Sequence, residues 1–104
     1  MTRALDIVET NEDGTYLLEL VGRLDTNTSS QLDVVAKRIH MADAAANIVV
    51  DLGQCGYVSS AGLRAIMTMH KRSAKNGLLT FRNVHPDVMD VFVDTGFDRI
   101  LNFE

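Results

Sequence analysis

The sequence DLGQCGYVSSAGLRAIMTMHKR, residues 51–72, contains most of the evidence for the fold. The apolar, β-branched run NIVVDLG (47–53), which overlaps its start, predicts a strand. Beyond two adjacent serines, Ser59 and Ser60, the i, i+3, i+4, i+7 spacing of an amphipathic helix begins. The members of that spacing are Leu63, Ile66, Met67 and His70. The stretch predicts a strand that leads into a helix, with both serines at the helix entrance. There they could cap the helix, act as a nucleophile or accept a charged group.

The residues before this stretch predict a hairpin followed by another helix. RALDIVE (Arg3–Glu9) and TYLLELVG (Thr15–Gly22) have the composition of strands, and Asp13-Gly14 between them is a hairpin turn signal. A second amphipathic stripe follows at Leu32, Val35, Ala36 and Ile39. We therefore expect two antiparallel strands before the first helix.

The residues after the stretch alternate between strand and helix patterns. Asn76-Gly77 is expected to end the central helix at a left-handed residue. LLTFRNV (78–84) predicts a strand, Pro86 begins a helix that ends at Thr95-Gly96, and RILNF (99–103) predicts a short last strand. The order ββαβαβα(β) is typical of an α/β domain, here a mixed sheet with an N-terminal hairpin and flanking α-helices. Because apolar and polar residues do not alternate along NIVVDLG, we expect that strand to be covered on both faces.

The composition indicates one globular domain and argues against several classes of partner. A chain of 104 residues with 46% hydrophobic and 23% charged residues can build a single core, so residues 1–104 are expected to form one domain. The net charge of -4 argues against nucleic acid or an anionic membrane as the direct partner. The single cysteine, Cys55, rules out an internal disulfide. Together with the absence of a signal-peptide pattern, it favours a cytoplasmic protein.

No catalytic or cofactor-binding pattern is complete in the sequence. A nucleophile elbow needs glycine two residues before and two after the serine, whereas Ser60 has Val58 and Gly62 at those positions. The three histidines lie on different segments, and Cys55 has no neighbouring metal ligands. Neither GxGxxG nor GxxxxGK[ST] occurs. We therefore expect a protein that is not an enzyme, with no catalytic residue, no metal and no cofactor.

The two serines have a structural explanation that covers only one of them. A serine at a helix entrance accepts a hydrogen bond from a free backbone N–H and stabilises the helix by ~1 kcal/mol. The second serine has no such role, and Gly62 in the first turn costs ~1 kcal/mol relative to alanine. A glycine there indicates close approach by another backbone or by a partner surface. Both features favour a functional site at the helix entrance.

Three segments resemble the STAS domains of bacterial anti-sigma factor antagonists, across nearly the whole chain. They are GRLDTNTSSQL (22–32), NIVVDLGQCGYVSSAGLRAI (47–66) and NGLLTFRNVHPDVMDVFVDTGFDRIL (76–101). The resemblance implies a mixed sheet flanked by helices, in agreement with the pattern above. It also implies a mechanism with two partners, an anti-sigma factor that is a serine kinase and a phosphoserine phosphatase. The unphosphorylated antagonist binds the kinase and frees the sigma factor, phosphorylation ends that binding, and the phosphatase restores it.

The resemblance further implies a phosphorylated serine at the entrance of the central helix. When the commonest family pattern, Asp-Ser-Ser-Gly-Leu, is aligned on Gly62-Leu63, Ser59 takes the aspartate position, Ser60 the first serine and Ala61 the second. Family members with Ser-Ala-Gly-Leu use the serine before the alanine. Ser60 is therefore the expected phosphorylation site, with Ser59 as the second candidate. Without the aspartate, the site is less acidic than the family pattern.

A partner-binding surface around both serines is implied in the same way. Its expected members are Asp25, Thr26, Asn27, Ser59, Ser60, Ala61, Gly62 and Arg64. Asp25 matches an acidic family residue, although its type also suits a turn or cap, and Asn27 or Thr28 is expected to cap the first helix. Ala61 and Gly62 would keep the surface flat enough for docking. Arg64 would either face an acidic group of the partner or remain solvated.

Two alternatives to the switch remain open on sequence grounds. STAS domains also act as static subunits, for instance beside the ATPase of a lipid-transport system, and the missing aspartate favours such a role without a phosphoswitch. The other alternative is a small serine hydrolase or nucleotide-binding enzyme. The incomplete elbow and the absent phosphate loop count against it.

Overall fold

The computed structural model describes residues 5–74 and 77–104, and within them the predicted order of elements is confirmed. The strands are β1 (Leu5–Glu12), β2 (Thr15–Leu24), β3 (Asn47–Val58), β4 (Leu79–Arg82) and β5 (Asn102–Phe103). The helices are α1 (Ser29–Ala42), α2 (Ser60–Ser73) and α3 (Pro86–Thr95), with a 3-10 turn at Phe97–Arg99. Arg3 and Ala4, which belong to the first predicted strand, lie outside the described residues.

The five strands form one mixed sheet in the order β1-β2-β3-β4-β5. β1 and β2 are antiparallel and are joined by Asp13-Gly14, whose φ angles of 53° and 82° are both left-handed. A two-residue turn of this kind matches the right-handed twist of the strands it joins, so the predicted hairpin is confirmed. The remaining neighbours are parallel, and a helix lies between each of these pairs along the chain.

One face of the sheet is buried under the helices. Ile48, Val50 and Leu52 of β3 are fully buried on this face. Phe81 of β4 meets Phe92 of α3 on the same face, with ring centroids 6.2 Å apart. The buried apolar side chains of α1 and α2 belong to the same hydrophobic cluster. All three helices therefore share one core with one side of the sheet.

The opposite face of the sheet is open, which contradicts the expectation that NIVVDLG is covered on both faces. Val49 and Asp51 alternate with the buried residues of β3 and are only half-buried. Val49 needs no helix above it because Leu17 and Thr80, its partners in register on β2 and β4, flank it on the same face. Strand neighbours thus shelter an apolar residue that the composition alone assigns to a second buried face.

The end of β3 is the part of the sheet that positions the two serines. β3 continues past its predicted end at Gly53 as far as Val58, because its polar and glycine residues still pair with β2, with two shifts of register. Leu24 and Val58 are the last residues that pair. The Ser59 N–H then donates to the Leu24 carbonyl at 2.9 Å. The entrance of α2 is therefore fixed against the end of β2.

The end of α2 and the start of β5 are the two remaining boundaries to compare with the predicted ones. α2 ends at Ser73, and Asn76 of the predicted Asn76-Gly77 end lies outside the described residues. Gly96, with φ 80°, ends α3 as predicted, but the following 3-10 turn shortens the last strand to two residues. Among the described helices, none has the length and apolar character needed to cross a membrane.

Candidate functional site

Ser59 is the N-cap of α2. Its backbone is extended, with φ -87° and ψ 177°, and its Oγ accepts a hydrogen bond from the Gly62 N–H at 3.2 Å. The side chain is half-buried. A bond of this type satisfies one of the backbone donors that a helix start leaves free. The expectation that one of the two serines caps the helix is confirmed, and that serine is Ser59.

Ser60 is the first residue of α2 and has the opposite environment. It is exposed, and its hydroxyl has no hydrogen-bond partner among residues 5–74 and 77–104. The first turn of α2 contains no acidic residue. The positive end of the helix dipole is therefore not offset by a carboxylate of the same turn. Ser60 thus presents a free hydroxyl where an added negative charge is tolerated.

Gly62 is buried and packs against the end of β2 and β3. A Cβ at this position would lie 2.7 Å from the Leu24 carbonyl oxygen, 2.9 Å from Leu24 Cγ and 3.0 Å from Val58 Cγ1. Real Cβ atoms do not approach other atoms this closely, which explains the glycine. The close approach that the glycine indicates is made by the backbone at the end of β2. Ala61 beside it is half-buried.

Asp25 lies in the turn between β2 and α1 and organises its backbone. Its Oδ1 accepts hydrogen bonds from the backbone N–H groups of Asn27 (3.0 Å) and Thr28 (3.2 Å). Thr28, only 3% exposed, accepts from the Asp25 N–H at 2.8 Å and donates to the Arg23 carbonyl at 2.7 Å. Burial acts to raise the pKa of the Asp25 carboxyl, but these hydrogen bonds outweigh it and keep that pKa below its usual value. These hydrogen bonds fix the backbone of the turn.

Thr26 and Asn27 are exposed at the tip of this turn. The N-cap of α1 is Thr28 rather than Asn27, and its side chain makes no capping bond to the helix because it is engaged with the turn. Thr28 is therefore structural, whereas Thr26 and Asn27 are free to meet another molecule.

Arg23 and Tyr57 form a second feature of this edge, which the sequence does not indicate. They are partners in register at the ends of β2 and β3. The Arg23 guanidinium lies 4.1 Å from the centre of the Tyr57 ring, and its Nε is 3.6 Å from Asp25 Oδ2. Tyr57 remains 42% exposed. From the sequence, this contact could have been predicted only from the positions of both residues at the C-terminal ends of adjacent parallel strands.

Arg64 lies on α2 four residues after Ser60. It is exposed, and within the described part of the chain its side chain has neither an ion pair nor a hydrogen-bond partner. Arg64 is therefore solvated in the isolated domain, which leaves it available for another group.

The structure brings most of the predicted site residues to one edge of the domain. Because Ser59 is bonded to Leu24, the Asp25 turn and the two serines lie side by side. Their neighbours on the surface are Thr26, Asn27, Ala61 and Arg64. Across the described ranges, no three His, Cys, Asp or Glu side chains are grouped as a metal site would require. The edge presents hydroxyl, amide and charged groups on a fixed backbone.

Comparison with known proteins identifies the family. Residues 7–102 match the family model described as "Mlab, STAS domain". The chain belongs to the STAS domain family. A relative named as an anti-sigma factor antagonist, BtrV of Bordetella bronchiseptica, is 31% identical over 87 residues, which is 82% of this chain and 73% of that protein.

Solved structures share the STAS fold with this chain. An anti-sigma factor antagonist from Thermotoga maritima has a TM-score of 0.84 at 17% identity, over 93% of this chain and 84% of that one. The Bacillus cell fate determinant SpoIIAA in its phosphorylated form has a TM-score of 0.69 at 18% identity, over 97% and 91%. The resemblance stated from the sequence and the predicted fold class are both confirmed.

Proposed function

We propose that this STAS domain is an anti-sigma factor antagonist controlled by phosphorylation of Ser60. In the unphosphorylated form it binds an anti-sigma factor that is a serine kinase, and the sigma factor is freed. Phosphorylation ends this binding, and a phosphatase restores it. In this role, residues 1–104 form one STAS domain that acts in the cytoplasm, where sigma factors work. The observation that supports it most is the exposed, unpartnered hydroxyl of Ser60.

The geometry favours Ser60 over Ser59 as the phosphate acceptor. The Ser59 Oγ is half-buried and bonded to the Gly62 N–H, so its modification would disturb the cap of α2. Ser60 can be modified without loss of any hydrogen bond of the described chain. The transfer forms a bond from Ser60 Oγ to the γ-phosphorus of ATP, breaks that phosphorus's bond to the bridging oxygen, and releases ADP and the hydroxyl proton. The kinase supplies the catalytic groups.

The charge of the phosphate explains why binding changes while the fold does not. A phosphoserine adds about -1.5 to -2 charges at neutral pH. At a helix start, the free N–H groups and the dipole favour such a charge by ~0.3–1 kcal/mol. A partner surface shaped for a neutral hydroxyl instead meets a phosphate that the partner has no group to bind, which costs on the order of 2–5 kcal/mol of binding. That corresponds to roughly thirty- to several-thousand-fold weaker binding.

The partner-binding surface in this proposal consists of exposed or half-exposed residues at the same edge. Its proposed members are Asp25, Thr26, Asn27, Ser59, Ser60, Ala61 and Arg64. We add Arg23 and Tyr57, which contact each other at the same edge. Arginine and tyrosine are the residue types most often found at the energetic centres of interfaces. The name of the relative BtrV and the phosphorylated form of SpoIIAA agree with this proposal.

Phosphosite mapping tests the proposal directly. The purified chain and its Ser60→Ala and Ser59→Ala variants are incubated with ATP and lysate of the native host, then examined by mass spectrometry. We expect one phosphoryl group on Ser60, which Ser60→Ala abolishes and Ser59→Ala retains. A phosphoryl group on Ser59 alone would contradict the choice of serine. No modification, in a lysate that phosphorylates an added known antagonist, would contradict the switch itself.

A static STAS subunit of a larger assembly is the second candidate function. The observation that favours it is Ser59 at the position where the commonest family pattern has aspartate. If the domain is a static subunit, a tagged chain should recover the same partners in the same amounts when Ser59 and Ser60 are both replaced by alanine. If it is a phosphorylation switch, the double substitution should change that recovery.

A further inference from the structure

The free cation nearest to Ser60 along α2 is Arg64, and its spacing places it on the same side of the helix. Residues four apart are neighbours on a helix surface. Helical side chains also lean toward the helix N-terminus, so a side chain at position 64 can extend over the turn that contains Ser60. Both residues are exposed. A group added to the Ser60 hydroxyl would therefore come within reach of the guanidinium.

Nothing on α2 competes for Arg64. The helix SAGLRAIMTMHKRS contains no acidic residue. The positions three and four residues from Arg64 are Ser60, Ala61, Met67 and Thr68. The Arg64 side chain is also without an ion pair throughout residues 5–74 and 77–104. The arginine thus has unused hydrogen-bond donors and a charge without a local counter-ion.

Other cations are less suited to meet a phosphate on Ser60. Arg23 at the same edge is stacked on Tyr57 and lies 3.6 Å from Asp25 Oδ2, so it already has an anionic neighbour. Lys71, which is seven residues beyond Arg64, lies ~16 Å along the helix axis from Ser60. Arg64 is the basic residue of α2 that both lies about one helical turn from Ser60 and is unpaired.

We infer that Arg64 is the intramolecular counter-ion of phosphorylated Ser60. The inference rests on the proposed function, since it concerns the modified form of the same site. A guanidinium can bond a phosphate through two N–H groups at once, which a flexible ammonium does less well. Phosphorylation then changes the partner surface twice: the neutral hydroxyl becomes an anion, and the free arginine is withdrawn into a contact within the helix. The domain keeps its stability because the phosphate forms an ion pair with Arg64 of the same helix.

The test measures the second pKa of the phosphate by ³¹P NMR. Phosphoserine is installed at position 60 during translation, in the full chain and in Arg64→Gln, Arg64→Lys and Lys71→Gln variants. We expect Arg64→Gln to raise the phosphate pKa by about 0.2–0.4 pH unit at low salt, the size of one ion pair on a helix surface. Lys71→Gln, which removes the same charge from the other end of α2, should raise it much less. Arg64→Lys should restore part of the difference, and 1 M salt should suppress it.

Equal phosphate pKa values in Arg64→Gln and Lys71→Gln would overturn the inference, with circular dichroism showing that both variants are folded. Because the phosphate is installed during translation, the result does not depend on any kinase. The inference can therefore fail while lysate still phosphorylates Ser60, and the proposed function can fail while the ion pair is observed.

Discussion

Gly62→Ala should destabilise the domain, although alanine is the better helix former. The added methyl would sit 2.7 Å from the Leu24 carbonyl oxygen and about as close to two side-chain carbons. Overpacking of this kind costs ~1–3 kcal/mol, whereas the gain in helix propensity is at most ~1 kcal/mol. The nearest atom belongs to a backbone carbonyl that also accepts the Ser59 N–H, so it cannot rotate away without loss of that bond. We expect a net loss of ~1–2 kcal/mol in the free energy of unfolding.

The assay is thermal unfolding followed by circular dichroism, with Gly56→Ala as the matched control. At this size, ~1 kcal/mol shifts the midpoint by ~4–8 °C, so Gly62→Ala should lower it by ~4–16 °C. A Cβ at Gly56 of β3 meets no atom within 4 Å, and alanine there should raise the unfolding free energy by ~0.5–1 kcal/mol. A Gly62→Ala variant as stable as the original chain would refute the internal-packing explanation. Gly62 would then be a candidate for contact with the partner.

Three further predictions concern stability. In denaturant titrations, Ser59→Ala should lose ~1 kcal/mol while Ser60→Ala stays within ~0.5 kcal/mol, and equal losses would contradict the division between cap and free hydroxyl. Thr28→Val, which keeps the shape but removes a buried hydroxyl with two backbone bonds, should lose ~1–3 kcal/mol in the same assay, and no loss would contradict its structural role. Desolvation lowers the pKa of His40 below 6.5 and the nearby Arg72 charge acts in the same direction, while the backbone of Ala36 acts against them. Below pH 6.5 the unfolded chain therefore binds more protons at His40 than the folded chain does, and the free energy of unfolding should fall as the pH drops. In unfolding titrations at several pH values, His40→Gln should remove that part of the pH dependence.

The helices and the hairpin could be predicted because their signals are local. The α2 helix and the Asp13-Gly14 turn depend on residues a few positions apart, and both are present. Within α2, Leu63 and Ile66 are buried as predicted, whereas Met67 and His70 are only half-buried and Met69 lies in the core instead. Pro86 and Gly96 likewise mark the ends of α3, where a proline suits the first turn and a glycine the left-handed cap. The turn, proline and glycine signals are short-range backbone preferences, which tertiary contacts do not change here.

The parts that sequence reasoning missed depend on contacts between distant residues. The tight fit of Gly62 is set by Leu24, which is 38 positions earlier in the sequence and reaches it only through the pairing of β2 with β3. The contact of Arg23 with Tyr57 depends on the same register. Asp25 illustrates a third case, since its residue type suits both a turn and a partner contact. Its bonds show the first role and leave Oδ2 beside Arg23 at the surface.

The division of roles between the two serines has a consequence for any regulation at this edge. Ser59 and the Asp25 turn are held by hydrogen bonds within the domain, so the surface around Ser60 has little conformational freedom to lose on binding. The Ser60 side chain contributes no hydrogen bond to that framework. A modification of its hydroxyl therefore changes the charge that a partner meets without changing the backbone that presents it. If the acceptor were Ser59, the same modification would loosen the cap of α2, and stability and binding would change together. Separate measurement of unfolding and of partner binding on the same phosphorylated sample distinguishes these two designs.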